Sequence, residues 1–247
     1  MPQALIILPC YDEASRFDAE AMGAFLKAQT DVDLCFVNDG SRDDTLKVLQ
    51  AFAAVHGPRA MVLNLEHNQG KAGAVRAGML HALELKAAPY LGFWDADLAT
   101  PLEEVERFIA TFHSTPQPLF AVIGSRIKRL GSEVSRSGLR HIFGRVFSTF
   151  ASMVLQLPVY DTQCGAKIFT ADTAAEVFRA GFTSRWLFDV EILARLRRAH
   201  GIESVVRNVI ELPLLRWYEK GDSRLKLRDF LRVPLDLWKI YRRYPPP

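Results

Sequence analysis

A chain of 247 residues is long enough for one large α/β domain and short for two. Its composition, 49% hydrophobic and 24% charged, is that of an ordinary globular protein. The net charge of +3 conceals an asymmetry: residues 1–124 hold 9 Lys/Arg against 16 Asp/Glu, residues 125–247 hold 22 against 12, and the basic residues are too interleaved with Leu, Val and Trp to suggest a nucleic-acid partner.

The start, MPQALIILPCYDE, has no basic n-region and is not read as a signal peptide. Ala4–Leu8 is a first apolar strand, followed by a helical pattern around Ala19–Ala28. Leu34–Val37 is a second strand, closed by Asp39-Gly40-Ser41, and Asp44–His56 reads as helix. Met61–Leu65 and the Ala-rich Lys71–Leu85 form a third strand and helix. Tyr90–Trp94 is a fourth strand, ending at Asp95-Ala96-Asp97. Pro101 then favours a helix start, and Glu103, Glu104 and Glu106 suit its N-terminal dipole. Phe120–Ile123 is a fifth strand.

Strands alternating with helices in this way predict a mostly parallel, Rossmann-like sheet flanked by helices, in one domain. Ligands of such sheets bind beyond the carboxyl ends of the strands. Four polar clusters fall there: Pro9–Glu13, Asn38–Ser41, Asn68–Lys71 and Asp95–Asp97.

Beyond Gly124 the pattern changes. Gly124–Gly138 reads as a polar loop, and His141–Leu157 as an apolar helix. A strand and helix are expected at Ala166–Ala180, a helix around Phe188–Ala199 and a strand at Val205–Ile210. The helix candidate 141–157 either packs in the core or lies against lipid. The best candidate for a membrane span, Val146–Tyr160, falls short of the roughly 20 residues that one needs. The basic amphipathic segment 223–247 either docks on the sheet or lies on a membrane surface. Cys10, Cys35 and Cys164 are widely spaced and odd in number, which points to buried reduced thiols rather than disulfides or zinc.

The chemistry resides in the clusters. Asp95 and Asp97 bracket a small residue at a strand end, where two carboxylates can hold a hard divalent ion together with a diphosphate. The same residues also suit a helix cap from Asp97 or Thr100. Asn38–Thr45 fits a strand-to-helix turn, with Gly40 for tight geometry, or a carboxylate that accepts a uracil imide N–H. Asn68-Gln69-Gly70-Lys71 lacks the glycine spacing of a P-loop.

In order and spacing, these four clusters resemble the inverting family-two glycosyltransferases of GT-A fold. Gly124-Ser125-Arg126, Asp161–Lys167 and Arg185–Glu191 are similar to the dolichyl-phosphate β-glucosyltransferase branch, close to the dolichol-phosphate mannose synthases. The resemblance implies a domain over 1–222, with a nucleotide-sugar half (1–124) and an acceptor half (125–222). It implies Pro9, Tyr11, Glu13, Asp39, Lys71 and Asp95 around the nucleotide, and Asp95 and Asp97 at a Mg²⁺ or Mn²⁺ ion. Arg126, Arg136 and Arg140 would hold an acceptor phosphate. One of Arg216, Lys220 and Arg224 would touch the donor diphosphate. Asp97, Asp189 and Arg126 are the implied catalytic residues, Asp189 as an orienting group or, for a hydroxyl acceptor, as a base.

Asn38 departs from the commoner Asp at its place. Ala99 departs from the Gln that mannose synthases carry there, which leans toward glucosyl transfer. The implied activity is transfer of a hexose from a UDP-sugar to a polyprenyl phosphate, by a cytoplasmic enzyme attached peripherally to the membrane face. The rivals are transfer to a saccharide hydroxyl and a non-catalytic UDP-sugar-binding protein.

Overall fold

The computed structural model describes residues 1–135, 138–220 and 227–245, with the backbone alone at 138–143 and 227–231. Arg136, Arg224 and the Arg140 side chain therefore lie outside the described residues.

Strands β1 (Ala4–Cys10), β2 (Val32–Asp39), β3 (Ala60–Leu65) and β4 (Tyr90–Trp94) alternate with helices α1 (Ala19–Ala28), α2 (Thr45–His56) and α3 (Gly70–Glu84). Helix α4 (Glu104–Ser114) leads to β5 (Ala121–Ser125), a short β6 (Glu133–Ser135) and α5 (Gly138–Leu155). Strand β7 (Ala166–Thr170), α6 (Ala171–Phe178), α7 (Phe188–His200), α8 (Ile202–Asn208), β8 (Val209–Pro213), β9 (Arg216–Tyr218) and α9 (Leu227–Arg243) complete the chain.

Seven strands form one sheet in the order β3-β2-β1-β4-β7-β5-β8. The sheet is buried on both faces, which is why its strands read as continuous apolar runs. Along β1, Leu5 and Ile7 face a core shared with α3, α6 and α7, whereas Ala4, Ile6 and Leu8 face one shared with α1, α2 and α4.

One strand runs against the rest. β7 pairs antiparallel with both β4 and β5, in a register that sets Ala166 beside Trp94 and Lys167 beside Ile123. Its reversal brings the segment before it, residues 161–165, to the edge where the parallel strands end. A loop from the second half of the chain thus meets the acidic triplet.

Two expectations are corrected. The strand expected at Val205–Ile210 divides: Ile202–Asn208 is helix and the strand begins at Val209. Gly201, at φ +78, ends α7, and α8 then buries Val205, so packing outweighs the β-branched run. The polar loop over 124–138 contains β6, which pairs in parallel with β9 in a separate two-stranded sheet.

The two ambiguous helices each have a core face and an open one. α5 buries Ala151 and Leu155 but exposes Val146, Phe150 and Met153. α9 buries Leu237 and Ile240 and exposes Leu235, Trp238 and Tyr241. Their C-terminal ends are joined by Arg197 of α7, which donates to Leu155 O at 2.6 Å and to Tyr244 O. Among the described residues no helix is long and apolar enough to cross a membrane.

Candidate active site

The first two polar clusters are knitted together by backbone amides. Asp12 N–H donates to Ser41 Oγ (3.1 Å), Glu13 N–H to Thr45 Oγ1 (2.7 Å), and Arg42 N–H back to Asp12 Oδ1 (2.8 Å). Pro9, Tyr11 and Glu13 are thereby set on the rim, each half-buried. Gly40 allows the approach of the third cluster. At φ +62, a Cβ on it would lie 2.7 Å from Asn68 N.

Asp39, at the end of β2, is buried and accepts Gln69 N–H at 2.7 Å. Burial pushes its carboxyl above the usual carboxylate range, although the Gln69 and Gly70 amides and the Arg185 charge draw it back.

Asp95 and Asp97 occupy the turn after β4. Asp97 Oδ1 accepts Ala99 N–H (2.9 Å), closing a local turn. Helix α4 begins at Glu104 after Glu103 and has no side-chain cap, so neither Asp97 nor Thr100 has the capping role that the sequence left open. Asp95 Oδ1 meets Lys71 Nζ at 2.5 Å. Burial and then the Asp95 charge push Asp97 upward, while Lys71 and Lys220 oppose the rise. Two hard carboxylates in mutual repulsion are a donor set that suits a divalent cation. Among the described residues no three His, Cys, Asp or Glu side chains form a metal cluster, so further ligands would have to come from water or a bound diphosphate. Of the two described basic candidates for the donor, Lys220 lends its charge to Asp97 and Arg216 is exposed on β9.

The loop before β7 forms the back wall. Asp95 N–H donates to Gly165 O (3.0 Å), and a Cβ on Gly165 would lie 1.9 Å from Asp95 Oδ2. The loop is fastened by Lys167, fully buried, whose ammonium donates to Thr162 O (3.0 Å), Cys164 O (2.6 Å) and Asp189 Oδ1 (2.6 Å). All three of its protons are satisfied. Asp189, only 3% exposed, is thus a partner of Lys167. Burial pushes its carboxyl up and the charges of Lys167 and Lys71 pull it back. Burial pushes Lys71 down, but Asp95 and Asp189 outweigh it and the ammonium is held charged.

Arg126 follows β5 and grips Asp161 in a two-pronged pair, Nε–Oδ2 and Nη2–Oδ1 both at 2.7 Å. Burial disfavours its charge, but Asp161 more than compensates, and Asp95 adds to the same effect. Arg126 therefore stands within electrostatic reach of the acidic triplet.

Sequence reasoning quoted Lys167, Asp161, Gly165 and Arg185 within motifs without assigning them partners. The reversed strand that brings the first three to the site left no signal in the hydrophobic pattern. The three cysteines are buried thiols in no disulfide, and burial pushes the Cys164 thiol up to about 12.

Comparison with known proteins agrees with this arrangement. Residues 5–178 match the model of glycosyl transferase family 2. The chain belongs to that family. Similar family members include dolichyl-phosphate beta-glucosyltransferases of Trichomonas vaginalis (31% identical, covering 95% of this chain and 69% of the relative), Dictyostelium discoideum (31%, 95% and 76%) and Drosophila melanogaster (31%, 97% and 74%). Among solved structures, glucosyl-3-phosphoglycerate synthase from Mycobacterium tuberculosis, in complex with Mn²⁺, UDP and glucosyl-3-phosphoglycerate, superposes with a TM-score of 0.68 at 16% identity. The match covers all of this chain and 81% of that one. The family-2 domain here therefore has the GT-A fold.

Proposed function

We propose that the chain transfers glucose, with inversion, from UDP-glucose to a polyprenyl phosphate. One observation supports a phosphate acceptor over a sugar hydroxyl. Arg126, a cation suited to phosphate, is oriented by Asp161 and feels the charge of Asp95, while Asp189, the carboxylate that a hydroxyl acceptor would require as base, is buried against Lys167. A phosphate oxygen is already anionic at neutral pH and needs no base.

The placement of the side chains supports the following roles. Tyr11 flanks the uracil, Pro9 and Glu13 shape its pocket, and Asp39 accepts the imide N–H. A divalent cation held by Asp97 and Asp95 would neutralise the leaving diphosphate. Lys71 orients Asp95 and Lys220 faces the diphosphate. Arg126 holds the acceptor phosphate in line with the anomeric carbon, a positioning role rather than proton transfer. Asp189, through Lys167, positions the loop behind Asp95. As the phosphate oxygen bonds to the anomeric carbon, the bond to the UDP oxygen breaks and UDP departs.

The enzyme would meet its acceptor from a membrane surface. The open stripe of α5 (Val146, Phe150, Met153) and that of α9 (Leu235, Trp238, Tyr241) suit shallow insertion, and Lys239, Arg242 and Arg243 suit anionic headgroups. A cavity of about 260 Å³ beside α5 is lined by Arg145, Ser148, Met153 and Tyr160 among others.

The test is acceptor choice. UDP-glucose is offered with a short polyprenyl phosphate or with free saccharides. Glucosylated lipid phosphate is expected, and transfer to saccharides alone would overturn the reading.

A further inference from the structure

Arg185 stands in the segment between α6 and α7, and its aliphatic stem crosses the start of α3. A Cβ built on Gly70 would lie 3.4 Å from Arg185 Cδ and 3.7 Å from its Cβ and Cγ. Gly70 is held at φ +76, and its neighbour Gln69 donates its amide to Asp39. The guanidinium is thus carried over the same turn that orients the Asp39 carboxylate, and its charge is felt there.

Arg185 is exposed and has neither a hydrogen bond nor an ion pair among the described residues. This sets it apart. Arg59, Arg76, Arg107, Arg126, Arg195 and Arg197 all donate to carbonyls or carboxylates. A planar fork of five donors, carried over the turn that orients a buried carboxylate and held by no protein acceptor among the described residues, is available to a ligand that presents acceptors next to a donor.

Uracil has that pattern along one edge, an imide N–H between two carbonyls. We propose that Arg185 donates to the uracil 4-carbonyl, beside the imide N–H that Asp39 accepts, so that the two residues together select uracil. Cytosine reverses the pattern at these two positions. Its ring nitrogen carries no proton for Asp39, and its amino group would set donors against the guanidinium. A site built for hydrogen bonding rejects such an analogue because its own groups are left unpaired. The inference rests on the UDP-sugar reading of the site.

The test uses the full chain and measures binding of uridine, UMP, UDP and CDP to the wild type, Arg185→Ala and Arg185→Lys by calorimetry and by displacement. Arg185→Ala is expected to weaken uridine, UMP and UDP by a similar factor of about tenfold, the scale of a hydrogen bond to a charged group. The preference for UDP over CDP should narrow, and Arg185→Lys should recover part of the loss. Unfolding midpoints should be unchanged, because the side chain is exposed and unpaired. If uridine binds as before while UDP is weakened, Arg185 serves the phosphates and the proposal is overturned. It is equally overturned if none of the affinities changes. A wild type that binds another nucleotide and not UDP would overturn the donor reading itself, before any variant is compared.

Discussion

Gly165 and Asp95 share one space: the carboxylate of Asp95 lies where a side chain at 165 would begin, 1.9 Å from an ideal Cβ. The Asp95 amide is also bonded to Gly165 O. The glycine is required by this close approach, since no positive φ holds it. Gly165→Ala should therefore displace Asp95 without exposing the core. A displacement of about 1 Å at a reacting centre can cost about 100-fold in rate. Transfer activity is expected to fall by that order with the unfolding midpoint nearly retained. Steady-state assays alongside thermal melts check it, and near-normal activity would detach Asp95 from the chemistry.

Lys167 and Asp189 make a second prediction. Removing one partner of a buried pair leaves an uncompensated charge and costs about 3–5 kcal/mol. Lys167→Met should show that loss in denaturant melts. The double variant Lys167→Met/Asp189→Leu should regain most of the stability but not the activity, because the Thr162–Cys164 carbonyls lose the ammonium that fastens them. A double variant with full activity would reduce the pair to a packing device.

The raised Asp39 carboxyl makes binding and stability respond to pH in opposite senses. Its native form holds a proton to higher pH than the unfolded chain does, so stability falls as pH rises through that window. The charged form above the window is the one that accepts an imide N–H. UDP affinity should thus decline as pH drops through the raised value. Asp39→Asn should bind UDP about tenfold more weakly, with less pH dependence, yet melt at a higher temperature than wild type at pH 7. Calorimetry and melts from pH 4 to 8 test both signs.

How much of this was legible in the sequence depended on periodicity. The parallel half was readable because each buried strand is a continuous apolar run that ends in a polar cluster. The four clusters at one edge followed from the general rule for such sheets. β7 was not readable as antiparallel, since Ala166–Thr170 carries no mark of direction, and the contacts of Gly165, Lys167 and Asp161 followed only from that reversal. The Val205–Ile210 strand divided because two β-branched pairs, Val205-Val206 and Val209-Ile210, were read as one run without the Gly201 stop and the packing of Val205. The amphipathic ends were read as either core or lipid, and each helix has an apolar face of both kinds.

The exposed stripes of α5 and α9 predict membrane binding independent of catalysis. The wild type should sediment with vesicles containing anionic lipid and less with zwitterionic ones, and added salt should weaken the interaction. Phe150→Glu/Trp238→Glu should abolish sedimentation while leaving UDP binding intact. Unchanged sedimentation would place the lipid contact elsewhere.

The central claim is metal-assisted glucosyl transfer to a lipid phosphate, with Asp97 as an ion ligand. Its most direct test is the initial rate of glucosylated polyprenyl phosphate formation by EDTA-stripped protein, before and after Mg²⁺ or Mn²⁺ is restored. The account predicts loss on stripping, recovery with the ion, and a drop of about 100-fold or more in Asp97→Ala that added metal does not repair. Full transfer in EDTA, or a fully active Asp97→Ala, would contradict it.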